Sequence, residues 1–91
     1  MHYRFIISCI TLSCQGVFMD ILGERLKMLR KEKRMTQPEL AGLLKQSLRA
    51  YQYYESGHHV PELHNLIFLA DFYDVSMDYL IGRSETRERQ P

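Results

Sequence analysis

The stretch that decides the fold is Thr36–Gly57, TQPELAGLLKQSLRAYQYYESG. Thr36 followed three residues later by Glu39 is a capping box. The hydroxyl takes an otherwise unpaired helix N–H, and the carboxylate reaches back to the N–H of the cap itself. Leu40, Ala41, Leu43 and Leu44 then predict a buried helical face. Lys45 and Gln46 remain as a turn, Ser47 is a good N-cap for a second helix, and Gly57 is a good stop just past its end. Two short helices joined by so small a turn must cross steeply, which leaves one of them projecting with its outer face free.

Upstream, residues 20–34 read as a first helix, with Leu22, Leu26 and Leu29 facing inward. Arg25, Lys27, Arg30, Lys31, Lys33 and Arg34 fill much of its other surface, either as a solubilising face or as partners for phosphates. Downstream, Pro61 is expected to open a fourth helix, PELHNLIFLADFYD, where its missing N–H is harmless. That segment is more apolar than one buried face needs. Its surplus aromatics, with Met77, close the core or form a dimer patch. Ser76 caps a short fifth helix, and Gly82 ends it. The chain therefore divides into an extension (1–18), a helical domain (19–82) and a polar, mobile tail (83–91).

Ninety-one residues with 45% hydrophobic content make one domain with a modest core. The net charge of +1 hides an asymmetry: residues 1–50 hold 9 Lys/Arg against 4 Asp/Glu, and residues 51–91 hold 3 against 7. A basic half beside an acidic half suits a polyanion on one face, although solvated charged helices produce the same pattern. Cys9 and Cys14 make no disulfide framework and no Cys-x-x-Cys, which fits a reducing cytoplasm. Residues 1–18, MHYRFIISCITLSCQGVF, have three readings. They are a strand or arm packed on the domain or on a second copy, a leader with Arg4 before an apolar run, or an extension ahead of a start at Met19. The run is far short of the ~20 residues that span a bilayer.

From Leu22 to Gly82 the chain resembles the lambda-repressor-like helix-turn-helix family, also called the Cro/repressor or xenobiotic-response-element type. The resemblance rests on LGERLKMLRKEKRMTQPELAGLL, SLRAYQYYESG and VPELHNLIFLADFYDVSMDYLIG, about two-thirds of the chain. It implies an all-α, compact five-helix domain that binds double-stranded DNA, with the second helix of the motif, residues 48–56, as the recognition helix. It implies base reading from Leu48, Arg49 and Tyr53 and a backbone contact from Gln37. It also implies a structural ion pair between Arg30 and Glu55, and a loop around His58 and His59 lying beside the DNA. Three positions depart from the family pattern. Lys45 stands where glycine is usual and must accept a left-handed backbone or a changed turn. Gln46 stands where an apolar residue is usual, and Tyr51 replaces a smaller β-branched residue.

Helical geometry puts Ala50, Tyr51 and Tyr54 inward and Arg49, Gln52 and Tyr53 outward. Arg can hold guanine O6 and N7 with two bonds, and Gln can do the same with adenine N6 and N7. The candidate base contacts are therefore Leu48, Arg49, Gln52 and Tyr53. The candidate phosphate contacts are Thr36, Gln37, Lys45, Ser47, Ser56 and His58, with the histidine stronger once protonated. His58, His59 and His64 match no standard metal spacing, so no metal or other cofactor is expected. No nucleophile motif or phosphate-cradling glycine loop points to an enzyme. These features predict a cytoplasmic, nucleoid-associated transcriptional regulator. It most resembles a repressor acting as a homodimer on a palindromic operator, without membrane association. The alternative is an antitoxin or interaction module on the same fold, bound to a protein partner such as a toxin or anti-repressor.

Overall fold

Among the described residues, leucines one helical turn apart bring five helices together around one core. The computed structural model describes residues 20–89, so the readings of residues 1–18 fall outside the described residues. Helix α1 runs through residues 20–32. It is followed by α2 (Gln37–Leu44), α3 (Leu48–Ser56), α4 (Leu63–Tyr73) and α5 (Met77–Leu80). Leu22 and Leu26 of α1, Leu40 of α2, Tyr51 of α3, Leu69 of α4 and Leu80 of α5 are the largest fully buried side chains. Every helix thus contributes to the centre, and none is stable alone at these lengths.

The caps behave as their residue types require. Thr36 Oγ1 accepts from the Glu39 N–H, and Glu39 Oε1 accepts from the Thr36 N–H at 2.8 Å, completing the capping box. Ser47 and Ser76 cap α3 and α5 by accepting from the N–H groups of Ala50 and Tyr79. Gly57 ends α3 at φ 86°.

Several expectations need correction. Leu43 is 44% exposed, because the α2 face that meets α3 carries Leu40, Ala41 and Leu44. Pro61 does not open α4. Glu62 is the N-cap, and Pro61 is buried one residue before it. The apolar surplus of α4 faces outward in part, with Leu63 65% exposed and Ile67 47% exposed. Residues 83–89 of the tail lie against the domain. The Ser76 N–H donates to the Arg87 carbonyl at 2.8 Å, Arg87 pairs with Glu32 at 2.7 Å, and Arg89 pairs with Asp71 at 2.5 Å. Arg25 pins the same segment by donating to the carbonyls of Tyr79 and Ser84 while its guanidinium lies over the Tyr79 ring.

Among the described residues, three non-glycine residues hold left-handed backbones: Arg34 after α1, Lys45 after α2 and Asp74 after α4. Lys45, at φ 57° and ψ 41°, keeps the ordinary tight turn in spite of its side chain. The N–H of Gln46 reaches the Ala41 carbonyl at 2.9 Å. A β-carbon in this region meets the neighbouring carbonyl oxygen, and glycine avoids that contact at some loss of unfolded-state entropy. Lys45→Gly should therefore raise the unfolding free energy by about 0.5–1 kcal/mol in urea titration. A loss of stability would mean that the lysine side chain holds the turn by contacts of its own.

Candidate nucleic-acid interface

Helix α3 is positioned by a buried ion pair. Arg30 Nε donates to Glu55 Oε2 at 2.7 Å and Nη2 donates to Oε1 at 3.2 Å, a two-pronged grip between α1 and the end of α3. The remaining Arg30 nitrogen donates to the Met35 carbonyl at 2.9 Å. Glu55 also accepts from the Tyr51 hydroxyl at 2.5 Å and from Gln37 Nε2 at 3.1 Å. The side chains are 10% and 5% exposed, so this pair is not a solvated surface contact. Burial pushes the Glu55 carboxyl up, but hydrogen bonds from Arg30, Tyr51 and Gln37 more than offset this and leave it below its ordinary value. Its hydrogen bond to Glu55 raises the Arg30 guanidinium, against a lowering by burial. Burial, followed by the bond to Glu55, pushes the Tyr51 hydroxyl far up. The size of Tyr51 thus has a clear use: a β-branched residue could not reach the carboxylate.

Gly23 makes the approach of the two helices possible. A β-carbon there would lie 2.4 Å from the Glu55 carbonyl oxygen and 2.9 Å from that of Tyr54. Nothing in the spacing of the leucines points to Gly23. Its one sequence signal is a glycine isolated inside a helical pattern.

With its inner side fixed, α3 turns Leu48, Arg49 and Gln52 to solvent. Arg49 has no carboxylate partner among the described residues. Gln52 is exposed but not free, because its Nε2 donates to Gln37 Oε1 at 3.1 Å. Tyr53 is only half-buried and packs against two histidines, with ring centroids 5.4 Å from His58 and 5.0 Å from His59. It contributes one wall of a shallow recess of about 340 Å³ shared with Arg49, Ala50, His59 and Val60.

Four of the six candidate phosphate contacts fall into two groups at the ends of α3. Lys45 and Ser47 are exposed where α3 begins. Ser56 and His58 lie where it ends, with Ser56 Oγ 2.7 Å from His58 Nδ1. Nine residues of helix set these groups roughly 13 Å apart, comparable to the width of a major groove. Thr36 and Gln37 are differently placed from the expectation. The Thr36 N–H is already taken by Glu39, whose carboxylate would repel a phosphate. The Gln37 amide is held between Glu55 and Gln52, not extended outward. Among the described residues no group of three or more His, Cys, Asp or Glu side chains could hold a metal ion. None of the described helices is long and apolar enough to cross a membrane.

A family model described as Helix-turn-helix matches residues 26–80. The chain belongs to the lambda-repressor-like helix-turn-helix family. The chain is 42% identical over 69 residues to the cryptic phage CTXphi transcriptional repressor RstR of Vibrio cholerae, covering 76% of this chain and 62% of that protein. It is 38% identical over 68 residues to the HTH-type transcriptional regulator AnsR of Bacillus subtilis, covering 75% of this chain and 59% of the relative. The HTH-type transcriptional regulator ImmR of the same organism is 35% identical over 68 residues, covering 75% and 54%. The chain thus spans between half and two-thirds of the length of these curated relatives. The matched residues include the whole motif, the ion pair and α4, so the family is carried by the segment that builds the exposed face of α3.

Proposed function

We propose that the chain is a sequence-specific regulator of transcription that binds double-stranded DNA through α3 and represses by occupying a promoter. The observation that carries this reading is a recognition helix locked from behind by Arg30 and Glu55, with an exposed Arg49 on its free face. The repressor named among its relatives supports the same direction. Leu48, Arg49 and Gln52 meet base edges, and Tyr53 with its histidines forms a rim at the groove wall. Lys45, Ser47, Ser56 and His58 meet phosphates, which supply most of the affinity without choosing sequence. Two copies bind a two-fold symmetric operator, their recognition helices about 34 Å apart in successive major grooves. The apolar residues that α4 leaves exposed, Leu63, Ile67 and Phe68, suit the contact between copies.

Gel-shift titration at two salt concentrations tests the reading, since counterion release makes affinity fall steeply as salt rises. Absence of any salt-dependent binding would reject it. Arg49→Ala should reduce discrimination at one base position by about 1–3 kcal/mol in competition titration, with little change in stability. An equal loss on every sequence would instead assign Arg49 to the phosphates.

A further inference from the structure

Gln37 joins a buried carboxylate to an exposed side chain of the recognition helix. Its Nε2 donates to Glu55 Oε1 at 3.1 Å, and its Oε1 accepts from Gln52 Nε2 at 3.1 Å. The direction of both bonds follows from Glu55. An ionised carboxylate only accepts, and this one is held ionised by Arg30. The edge of the Gln37 amide that faces it must therefore be the NH2. The amide oxygen then faces Gln52, which must answer with its own NH2. Gln52 is left showing solvent its Oε1 and one remaining amide hydrogen, in an order it cannot reverse without breaking the bond to Gln37.

We infer that Glu55, acting through Gln37, fixes the amide of Gln52 as a reader of adenine, and that Gln37 is a positioning residue for base preference. Adenine offers the N6 amino group as a donor and N7 as an acceptor in the major groove, the complement of the two groups that Gln52 shows. Guanine offers two acceptors, O6 and N7, and would set O6 against Oε1. A glutamine free to turn escapes that clash by presenting both amide hydrogens. The bond to Gln37 removes this escape, so the discrimination of adenine from guanine is built into α2 and not into Gln52 alone. The inference rests on the proposed function, because it names the base that the DNA-facing surface takes.

The test is selection by the full chain from a pool of duplexes with a randomised central segment. It is run for the wild type, Gln52→Ala, Gln37→Leu and the double variant, with circular dichroism as a check on folding. Gln37→Met serves if the leucine variant is poorly folded. The position whose preference Gln52→Ala flattens should be adenine in the wild type. Gln37→Leu should lower the adenine-over-guanine ratio there about tenfold and leave preferences elsewhere intact, and the double variant should match Gln52→Ala alone. An unchanged ratio in a folded Gln37 variant, with affinity lowered equally on all duplexes, overturns the inference and leaves the proposed function standing. Guanine at that position, or no position flattened by Gln52→Ala, overturns it as well. A pool that enriches no sequence overturns both.

Discussion

Arg30→Ala should lower the unfolding free energy by about 3–5 kcal/mol at neutral pH, the range for removing one partner of a buried pair. The figure reflects what is left behind more than what is lost. Glu55 would remain a carboxylate with a 5% exposed side chain and no cation against it. The Tyr51 and Gln37 bonds would persist but would not neutralise it. The sign of the pH dependence separates this account from a simple loss of packing. In the native protein the Glu55 carboxyl lies below its ordinary value, so its stabilising contribution is complete above the unfolded pKa of about 4.3 and is lost as pH falls through the folded value. In Arg30→Ala the buried carboxyl shifts upward, and protonation relieves the variant as pH falls. The gap between the two proteins should therefore be widest near neutrality and should narrow below about pH 5. Urea denaturation at the two pH values reads it directly. A loss of about 1 kcal/mol or less, the same at both, would place the pair among solvated surface contacts.

What was legible in the sequence was whatever depends on local spacing. The capping box at Thr36 and Glu39, the Ser47 and Ser76 caps and the Gly57 stop each follow from residue type at a fixed offset, and the structure forms all of them. Leu22, Leu26 and Leu29 are inside for the same reason. What escaped depends on which surfaces meet. Leu43 has the same local pattern as Leu44, and only the direction from which α3 approaches α2 leaves it exposed. The polar tail looks mobile by composition, yet Arg25 lies opposite it and has carbonyls to bind. At the candidate interface the outward positions of Arg49 and Gln52 follow from helical periodicity. The engagement of Gln37 with both Gln52 and Glu55 is a contact between helices that no spacing rule contains.

Gly23→Ala is expected to destabilise the domain by roughly 2 kcal/mol, even though alanine is the better helix former. Two effects oppose each other. Within a helix, alanine is favoured over glycine by about 1 kcal/mol. Against this, the new β-carbon would lie 2.4 Å from the Glu55 carbonyl oxygen and 2.9 Å from the carbonyl carbon of the same residue. These are backbone atoms near the end of α3, so no rotamer change relieves the contact and the helix itself must move. Overpacking of this kind costs about 1–3 kcal/mol or more, which outweighs the gain in propensity. Gly42→Ala is the matched control, since a β-carbon there would meet nothing within 4 Å in the exposed middle of α2. It should stabilise by up to about 1 kcal/mol. The two variants should thus shift the urea midpoint in opposite directions. A Gly23 variant as stable as the Gly42 variant would mean that α1 and α3 do not approach this closely. The displacement has a functional reading too. Pushing the end of α3 off α1 pulls Glu55 from Arg30, and with it the Gln37 and Gln52 bonds that depend on that carboxylate. Gly23→Ala should therefore weaken sequence preference while the exposed Lys45 and Ser47, the phosphate contacts we propose, remain in place. Affinity for unrelated duplexes should fall less than affinity for a selected one.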